Sequence, residues 1–292
     1  MALRGKAFDI FLELYFRKFF ENINSVIDMG DQDLSVPFDE IKKKFSRVNI
    51  KIDEDLYEAA KNFPKRPRIS SSLFWQTLGI KKTDRLDIEI IERNKNDNFG
   101  KVFKLDLNYP LNDQNLIEKY DLVTDFGNNE HPFNVVEAYR TMHKLCKKNG
   151  FMFIEQAFLH GNGFYNFDTS FFENIAAVNN YTIIHSCLTF EFENNYFSTP
   201  VDKDFVKHIN FRDLSSIGLI YCFRKNNSKD FQIPYQGSRT KTAVEEYYKM
   251  DYVYNDKSLE KSYLPVSIDQ VSTIRLLKKI ISRIKNKVFR TK

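Results

Sequence analysis

A short apolar run, Ser25-Val26-Ile27, leads straight into Asp28, Met29 and Gly30, and this junction constrains the fold more than any other stretch of the chain. A strand ending in an acidic residue and a glycine turn is how the first strand of a parallel sheet presents its carboxyl end to a nucleotide-type cofactor. One such junction arises readily by chance, so its weight depends on whether the pattern recurs downstream. Three more strand-like runs each carry a carboxylate at their end: Arg85-Leu86-Asp87-Ile88-Glu89-Ile90, Val102 to Asn108 with Asp106, and Tyr120 to Gly127 with Asp125. Helix-compatible stretches separate them, and Gly150 to Glu155 is a further apolar run launched by a helix-ending glycine. Strand alternating with helix specifies a parallel sheet. The expected fold is α/β, a doubly wound, mostly parallel seven-stranded sheet with an antiparallel edge strand and helices on both faces, plus N- and C-terminal helices. Residues 205–236 supply the closing antiparallel pair, from Val206 to Phe211 and from Ile217 to Phe223.

In this order the residues resemble the class I S-adenosylmethionine-dependent methyltransferases over residues 20–225. Asp28-Met29-Gly30 is similar to the family's first cofactor motif, Asp87 and Asp106 to the acidic residues ending its second and third strands, and Thr124 to His131 to its fourth-strand motif. The tract from Ala138 to Gly150 resembles the helix and turn before the fifth strand. The resemblance implies S-adenosyl-L-methionine as cofactor, held by Asp28, Gly30, Gln32, Asp87, Asp106, Thr124 and Asp125. Asp87, with Glu89 as its rival, takes the ribose hydroxyls, Asp106 faces the adenine amine, and Gly30 admits the methionine part. Carboxylates suit the diol and the amine because both donate hydrogen bonds. The chain departs from the family where further glycines are usual, since Asp31-Gln32-Asp33 stands there. Gln32 can donate to the cofactor's carboxylate and an acidic neighbour can answer its ammonium.

Methyl transfer is an in-line displacement that needs proximity, plus a base when the acceptor is a hydroxyl or a protonated amine. Glu130 and His131 lie where the fourth-strand loop passes the transferred group. His131 is the candidate base because an imidazole titrates near neutrality, and His160 is the alternative. Glu130-His131-Pro132 also reads as the start of the next helix. The run Leu159-His160-Gly161-Asn162-Gly163-Phe164-Tyr165-Asn166-Phe167 leaves the fifth strand on the ligand-binding side with the composition of an acceptor pocket.

Domain organisation reads as an N-terminal amphipathic helix over 1–24, a methyltransferase-like Rossmann domain over 25–240, and a C-terminal extension over 241–292 with a basic amphipathic helix. Phe8, Ile10, Phe11, Leu14, Tyr15, Phe19 and Phe20, broken by Asp9, Glu13, Arg17 and Lys18, have helical spacing and resemble neither a signal sequence nor a membrane span. The expected compartment is the cytoplasm. More than fifty residues separate the first two strands, including Pro64-Lys65-Arg66-Pro67-Arg68, and a helix through Leu73, Trp75 and Leu78 is expected to stop at Gly79. Cys146, Cys187 and Cys222 are widely spaced and the five histidines show no metal-ligand spacing, so free thiols and no structural zinc are expected.

The formal charge of +5 is concentrated in the last 22 residues, which hold eight basic residues and no acidic one. That pattern argues against a nucleic-acid substrate, as does the absence of an Asn/Asp-Pro-Pro-aromatic motif in Thr124 to Asn129. Ile274, Leu277, Ile281, Ile284 and Val288 recur every three or four residues in this tail, which suits a helix lying on an anionic membrane surface, docking on an acidic partner or packing on the protein's own core. Two functions are compatible with these features. One is methyl transfer to a small-molecule or glycan-type acceptor; the other is a non-catalytic methyltransferase-like module that binds a partner, favoured by the missing glycines.

Overall fold

The computed structural model describes residues 2–3, 5–20, 22–36, 38–51, 54–55, 58, 69–89, 100–159, 161–192, 195–201 and 217–235. Its strands are β1 (Ala2–Leu3), β2 (Ser25–Met29), β3 (Asp33–Leu34), β4 (Ile69–Ser70), β5 (Lys82–Asp87), β6 (Val102–Lys104), β7 (Tyr120–Phe126), β8 (Cys146–Leu159), β9 (Tyr181–Phe192), β10 (Asn195–Pro200) and β11 (Ile217–Lys225). The helices are α1 (Gly5–Phe16), α2 (Phe38–Arg47), α3 (Ser71–Thr77), α4 (Val135–Leu145) and α5 (Thr169–Asn179).

Eight strands form the main sheet in the order β10-β9-β11-β8-β7-β2-β5-β6. β2 pairs in parallel with both β5 and β7, β6 continues in parallel beyond β5, and β8 continues beyond β7. β11 runs antiparallel to both β8 and β9. The sheet is therefore doubly wound and mostly parallel, as expected, with two differences. It has eight strands rather than seven, because β10 folds back along β9 as an antiparallel edge. The reversed strand β11 is also internal, so its neighbour is β9; the expected partner strand from Val206 to Phe211 lies outside the described residues. β11 is buried along nearly its whole length, which is why Ile217 to Phe223 reads as a continuous apolar run instead of an alternating one.

Strand alternation divides the interior in two. Val26, Leu122, Phe126 and Phe153 point to one face, where α1, α2 and α3 pack, while Ile27, Met29, Val123, Met152 and Ile154 point to the other, under α4 and α5. On the first face Phe8, Phe11, Phe45, Phe74 and Trp75 meet as an aromatic cluster, with Phe11 4.9 Å from Trp75 and Phe8 4.9 Å from Phe74 between ring centroids. α1 thus buries Ala7, Phe8, Ile10, Phe11, Leu12 and Leu14 in the core that backs β2. α3 begins where Ser70 Oγ accepts from Ser72 N at 3.3 Å and closes at Leu78-Gly79. α4 ends at Leu145, and β8 starts at once at Cys146. Gly150 therefore lies inside the strand instead of ending the helix, and it is Asn149 that takes the left-handed turn there.

A second sheet of three short strands, β1-β3-β4, sits over the turn that follows β2. β3 pairs in parallel with β1 and antiparallel with β4. Asp33 and Leu34, in the stretch where the resemblance leads one to expect more glycines, are thereby built into a sheet.

Candidate functional site

The chain leaves β2 toward β5 and β6 on one side and returns to β7 on the other, so the order of strands reverses between β2 and β7. In an open α/β sheet the crevice outside the carboxyl ends at such a switch point is where ligands bind. Asp28 and Thr124 sit on β2 and β7 directly across it, paired in register.

Asp28 is fully buried and faces α3. Ser71 Oγ and Thr124 Oγ1 donate to its carboxylate, and Trp75 Nε1 lies 3.1 and 3.2 Å from the two oxygens. Burial raises its pKa to about 6, against the opposing pull of those hydrogen bonds and of Arg85. The role of Asp28 in these contacts is to fasten the first strand to α3 and β7. Gly30 then turns with φ of 87°, a region that favours glycine, and carries the chain into β3.

Gln32 is buried and donates through Nε2 to Met29 O at 2.8 Å and to Thr124 O at 3.4 Å, while its Oε1 has no partner among the described residues. The amide hydrogens expected to face a ligand are thus turned inward, and the oxygen is what remains. Asp31 ion-pairs with the fully buried Arg85 at 3.1 Å. Arg85 also reaches Ser70 Oγ at 3.2 Å, which ties β5 to β4. Asp87, half-buried at the end of β5, accepts from Asp31 N at 3.0 Å through Oδ2 and from Glu89 N at 3.2 Å through Oδ1. Asp106 lies two residues past β6; its Oδ1 accepts from Asn108 N at 2.9 Å and Asn108 Nδ2 at 2.8 Å. Asn108 in turn holds Asn134, whose side chain accepts from Glu137 N at the start of α4.

Thr124 and Asp125 are neighbours in the chain, and the period of the strand sends them to opposite faces. Asp125 lies under α4, fully buried, accepting from Asn128 N at 2.9 Å, from Asn129 N at 3.2 Å and from Gln156 Nε2. Burial pushes its pKa up to about 7; the hydrogen bonds oppose this and the charge of Glu130 adds to it. Glu130 is buried as well. Its Oε2 accepts from Ala157 N at 3.2 Å, and its backbone oxygen accepts from Phe164 N at 2.8 Å. Gly163 packs so closely on it that a Cβ there would lie 2.5 Å from Glu130 O and 2.7 Å from its Cγ. His131 points outward with 42% of its side chain exposed, and its Nε2 is 3.9 Å from Glu130 Oε1. Helix α4 starts at Val135 with Asn134 as its cap, so Glu130 and His131 belong to the loop before the helix. His160 lies outside the described residues.

Three side chains around Asp125 and Glu130 carry no sequence signal that singles them out. The Asn129 carboxamide is fully buried with neither Nδ2 nor Oδ1 partnered among the described residues, and Gln156 Oε1 and Tyr139 Oη are likewise buried and unpartnered. Unsatisfied buried polar atoms are rare, and a water, an ion or another polar group can complete their pairing. Spacing along β8 and α4 would have put Gln156 and Tyr139 on the face of Asp125, and that is the one signal available. Phe133 and Phe164 stand exposed above this floor, edge to face at 5.9 Å, with Tyr165 Oη donating to Phe133 O at 2.6 Å. Among the described residues no group of three metal-ligating side chains converges, and no helix is long and apolar enough to cross a membrane.

Strand order, the reversed strand β11 and a crevice at the β2/β7 switch point define a doubly wound, Rossmann-like fold. No family model matches the sequence, and no curated protein matches it. Similar solved structures include a Burkholderia thailandensis 1,6-didemethyltoxoflavin-N1-methyltransferase at 9% identity, with 75% of this chain and 78% of that chain covered and a TM-score of 0.40. A methyltransferase from Archaeoglobus fulgidus is 12% identical, with coverage of 74% and 94% and a TM-score of 0.39. One from Mesorhizobium loti is 11% identical, with coverage of 72% and 95% and a TM-score of 0.38.

Proposed function

We propose that the protein binds S-adenosylmethionine in the switch-point crevice and transfers its methyl group to a small-molecule or glycan-type acceptor. The observation that carries this reading is the ordered row of carboxylates, Asp28, Asp87 and Asp106, at or just past the carboxyl ends of the adjacent strands β2, β5 and β6. The residues fit such a ligand. Asp87 and Asp106 are half-buried and spend only part of their capacity on local amides, leaving lone pairs for a diol and an exocyclic amine. When bound, the cofactor supplies an electrophilic methyl group.

On the acceptor side the chain's own groups form a floor rich in hydrogen-bond acceptors. Glu130 is held in place by Ala157 N and by the packing of Gly163, and it is better shielded from water than His131. A carboxylate positioned in this way accepts the proton of a hydroxyl or ammonium acceptor, while Phe133 and Phe164 cover the opening with apolar surface. A second reading, a binding module without catalysis, draws on the commitment of both Asp28 oxygens to protein donors and on the capture of residues 33–34 in a sheet.

Calorimetric titration with S-adenosylmethionine and S-adenosylhomocysteine tests the proposal. Wild type is expected to bind both, and Asp87→Ala to weaken binding by about 1–3 kcal/mol through loss of charge-assisted hydrogen bonds. Absence of binding by wild type at millimolar cofactor overturns it.

A further inference from the structure

Several buried acids of the molecule have a fixed cation beside them. Arg85 lies 3.1 Å from Asp31, Lys82 lies 3.5 Å from Asp84, and Arg140 pairs with Glu137. Glu130 and Asp125, 5% and 0% exposed, pair with no lysine or arginine among the described residues. The basic side chain next to Glu130 is the imidazole of His131, whose Nε2 is 3.9 Å from Oε1, too far for a hydrogen bond. A buried carboxylate is costly without a positive partner, and the two acids also repel each other, since the charge of Glu130 helps to raise the pKa of Asp125. Beside this pair stand the rings of Phe133 and Phe164, 76% and 71% exposed, meeting at 87° with centroids 5.9 Å apart. They form a corner with open faces, and it is built rather than loose. Phe164 N donates to Glu130 O at 2.8 Å, and Tyr165 Oη donates to Phe133 O at 2.6 Å. Two glycines bring the loop down onto the acid: a Cβ at Gly161 would lie 3.5 Å from Glu130 Oε2, and one at Gly163 would lie 2.7 Å from its Cγ.

We propose that the aromatic corner beside Glu130 receives a cationic amine, and that this amine is the acceptor of the methyl group. The inference rests on the reading that the Glu130 side of the crevice holds the acceptor, and it narrows that acceptor to nitrogen. The face of an aromatic ring is electrostatically negative and attracts a cation within about 6 Å of its centroid. Two perpendicular rings offer two such faces to one ammonium group, and Glu130 supplies the opposite charge. A neutral hydroxyl gains from neither, and an anion is repelled by the acids. In the transfer Glu130 takes one N–H proton and the freed nitrogen lone pair forms the bond to the methyl carbon. The electrons of the breaking carbon–sulfur bond stay on the sulfur, which becomes a thioether.

Choline is the probe, an N-methylated cation, titrated into the full chain and followed by calorimetry or ligand-observed NMR. Its neutral counterpart is 3,3-dimethylbutan-1-ol, which has the same shape with carbon in place of the nitrogen. Saturable choline binding is expected, with the neutral alcohol at least about tenfold weaker. Phe164→Leu keeps an apolar side chain at an exposed position and removes the ring, so it should weaken choline about threefold to tenfold. Glu130→Gln removes the charge and should weaken choline by at least about tenfold while leaving the alcohol unaffected. Melting temperatures check that both variants are folded. The proposal is overturned if wild type shows no saturable choline binding, if the two probes bind alike, if folded Phe164→Leu binds choline as wild type does, or if S-adenosylhomocysteine competes choline away. S-adenosylmethionine affinity in the same samples separates the two readings. Cofactor binding without choline overturns the amine alone, and choline binding without the cofactor overturns methyl transfer and with it the acceptor role.

Discussion

At the scale of single residues, two buried acids at the switch point make stability depend on pH in a direction opposite to that of a salt-bridged carboxylate. Asp28 and Asp125 titrate near 6 and 7 in the folded protein because burial disfavours their charged forms, whereas an unfolded aspartate titrates near 3.9. Between these values the unfolded chain has released its protons while the folded chain keeps them. Their contribution is complete below about pH 4 and is lost as pH rises through about 7, and for Asp125 it is at most about 4 kcal/mol. Asp125→Asn should therefore raise the melting temperature relative to wild type more at pH 8 than at pH 5. The new amide keeps the bonds from Asn128 N and Asn129 N and can donate to the unpartnered Gln156 Oε1 once that carboxamide turns over. Thermal unfolding at the two pH values checks this, and a variant destabilised more at pH 8 contradicts it. Glu130 is tested by rate instead. Glu130→Gln preserves its shape and its acceptor for Ala157 N, so single-turnover methyl transfer should fall on the order of a hundredfold with cofactor affinity unchanged, while His131→Ala costs far less. The reverse ranking would return the base to the exposed histidine.

Elements show how a degenerate glycine loop is replaced by added structure. β3 is held by β1 on one side and β4 on the other, Ser35 N donates to Leu3 O at 3.0 Å, and Ser71 N donates to Gln32 O at 3.0 Å. Deleting residues 2–3 removes β1 and leaves the main sheet intact. S-adenosylmethionine affinity measured by calorimetry should drop by about threefold to tenfold, the scale of one or two lost hydrogen bonds; unchanged affinity would show that the small sheet does not shape the crevice. The core of the fold is legible in the sequence because central parallel strands are apolar on both faces and their carboxyl ends must meet a ligand or water. Hence β2 and β7 can be read from Val26-Ile27 and Leu122-Val123, with an acid near each end, whereas β5, with Leu86 as its one apolar residue, runs from Lys82 to Asp87 and not from Arg85 to Ile90 as its sequence suggests. β9 and β10 are not legible in that way. Tyr181 to Phe192 is neither a continuous apolar run nor a strict alternation, being broken by the polar pair His185-Ser186, and β10 is an edge defined by tertiary pairing. At the site, the acids themselves are legible but their partners are not. Arg85, Ser71 and Trp75 reach Asp28 and Asp31 across sequence gaps that no local pattern encodes.

The whole molecule is divided in charge as well as in structure. The last 22 residues carry eight of its basic groups and no acid, which leaves a net charge of −3 on the other 270. The basic tail, with its apolar positions Ile274, Leu277, Ile281, Ile284 and Val288, lies outside the described residues, and we propose that it attaches the protein to an anionic surface. Each basic residue near an anionic membrane contributes about 1 kcal/mol, screened over about 8–10 Å at physiological ionic strength, so a cluster of eight suffices for binding that salt reverses. A chain of net −3 without the tail would be repelled by the same surface. Full-length protein should therefore sediment with liposomes containing phosphatidylserine at low salt and be released as salt is raised, and a variant lacking residues 271–292 should stay in the supernatant. Because α1 to α3 and α4 to α5 already cover both faces of the sheet around the switch-point crevice, the truncated protein should keep its S-adenosylmethionine affinity and its melting temperature. A truncation that melts several degrees lower would instead place the apolar stripe on the protein's own core, and full-length protein that ignores the liposomes would rule out attachment to such a membrane.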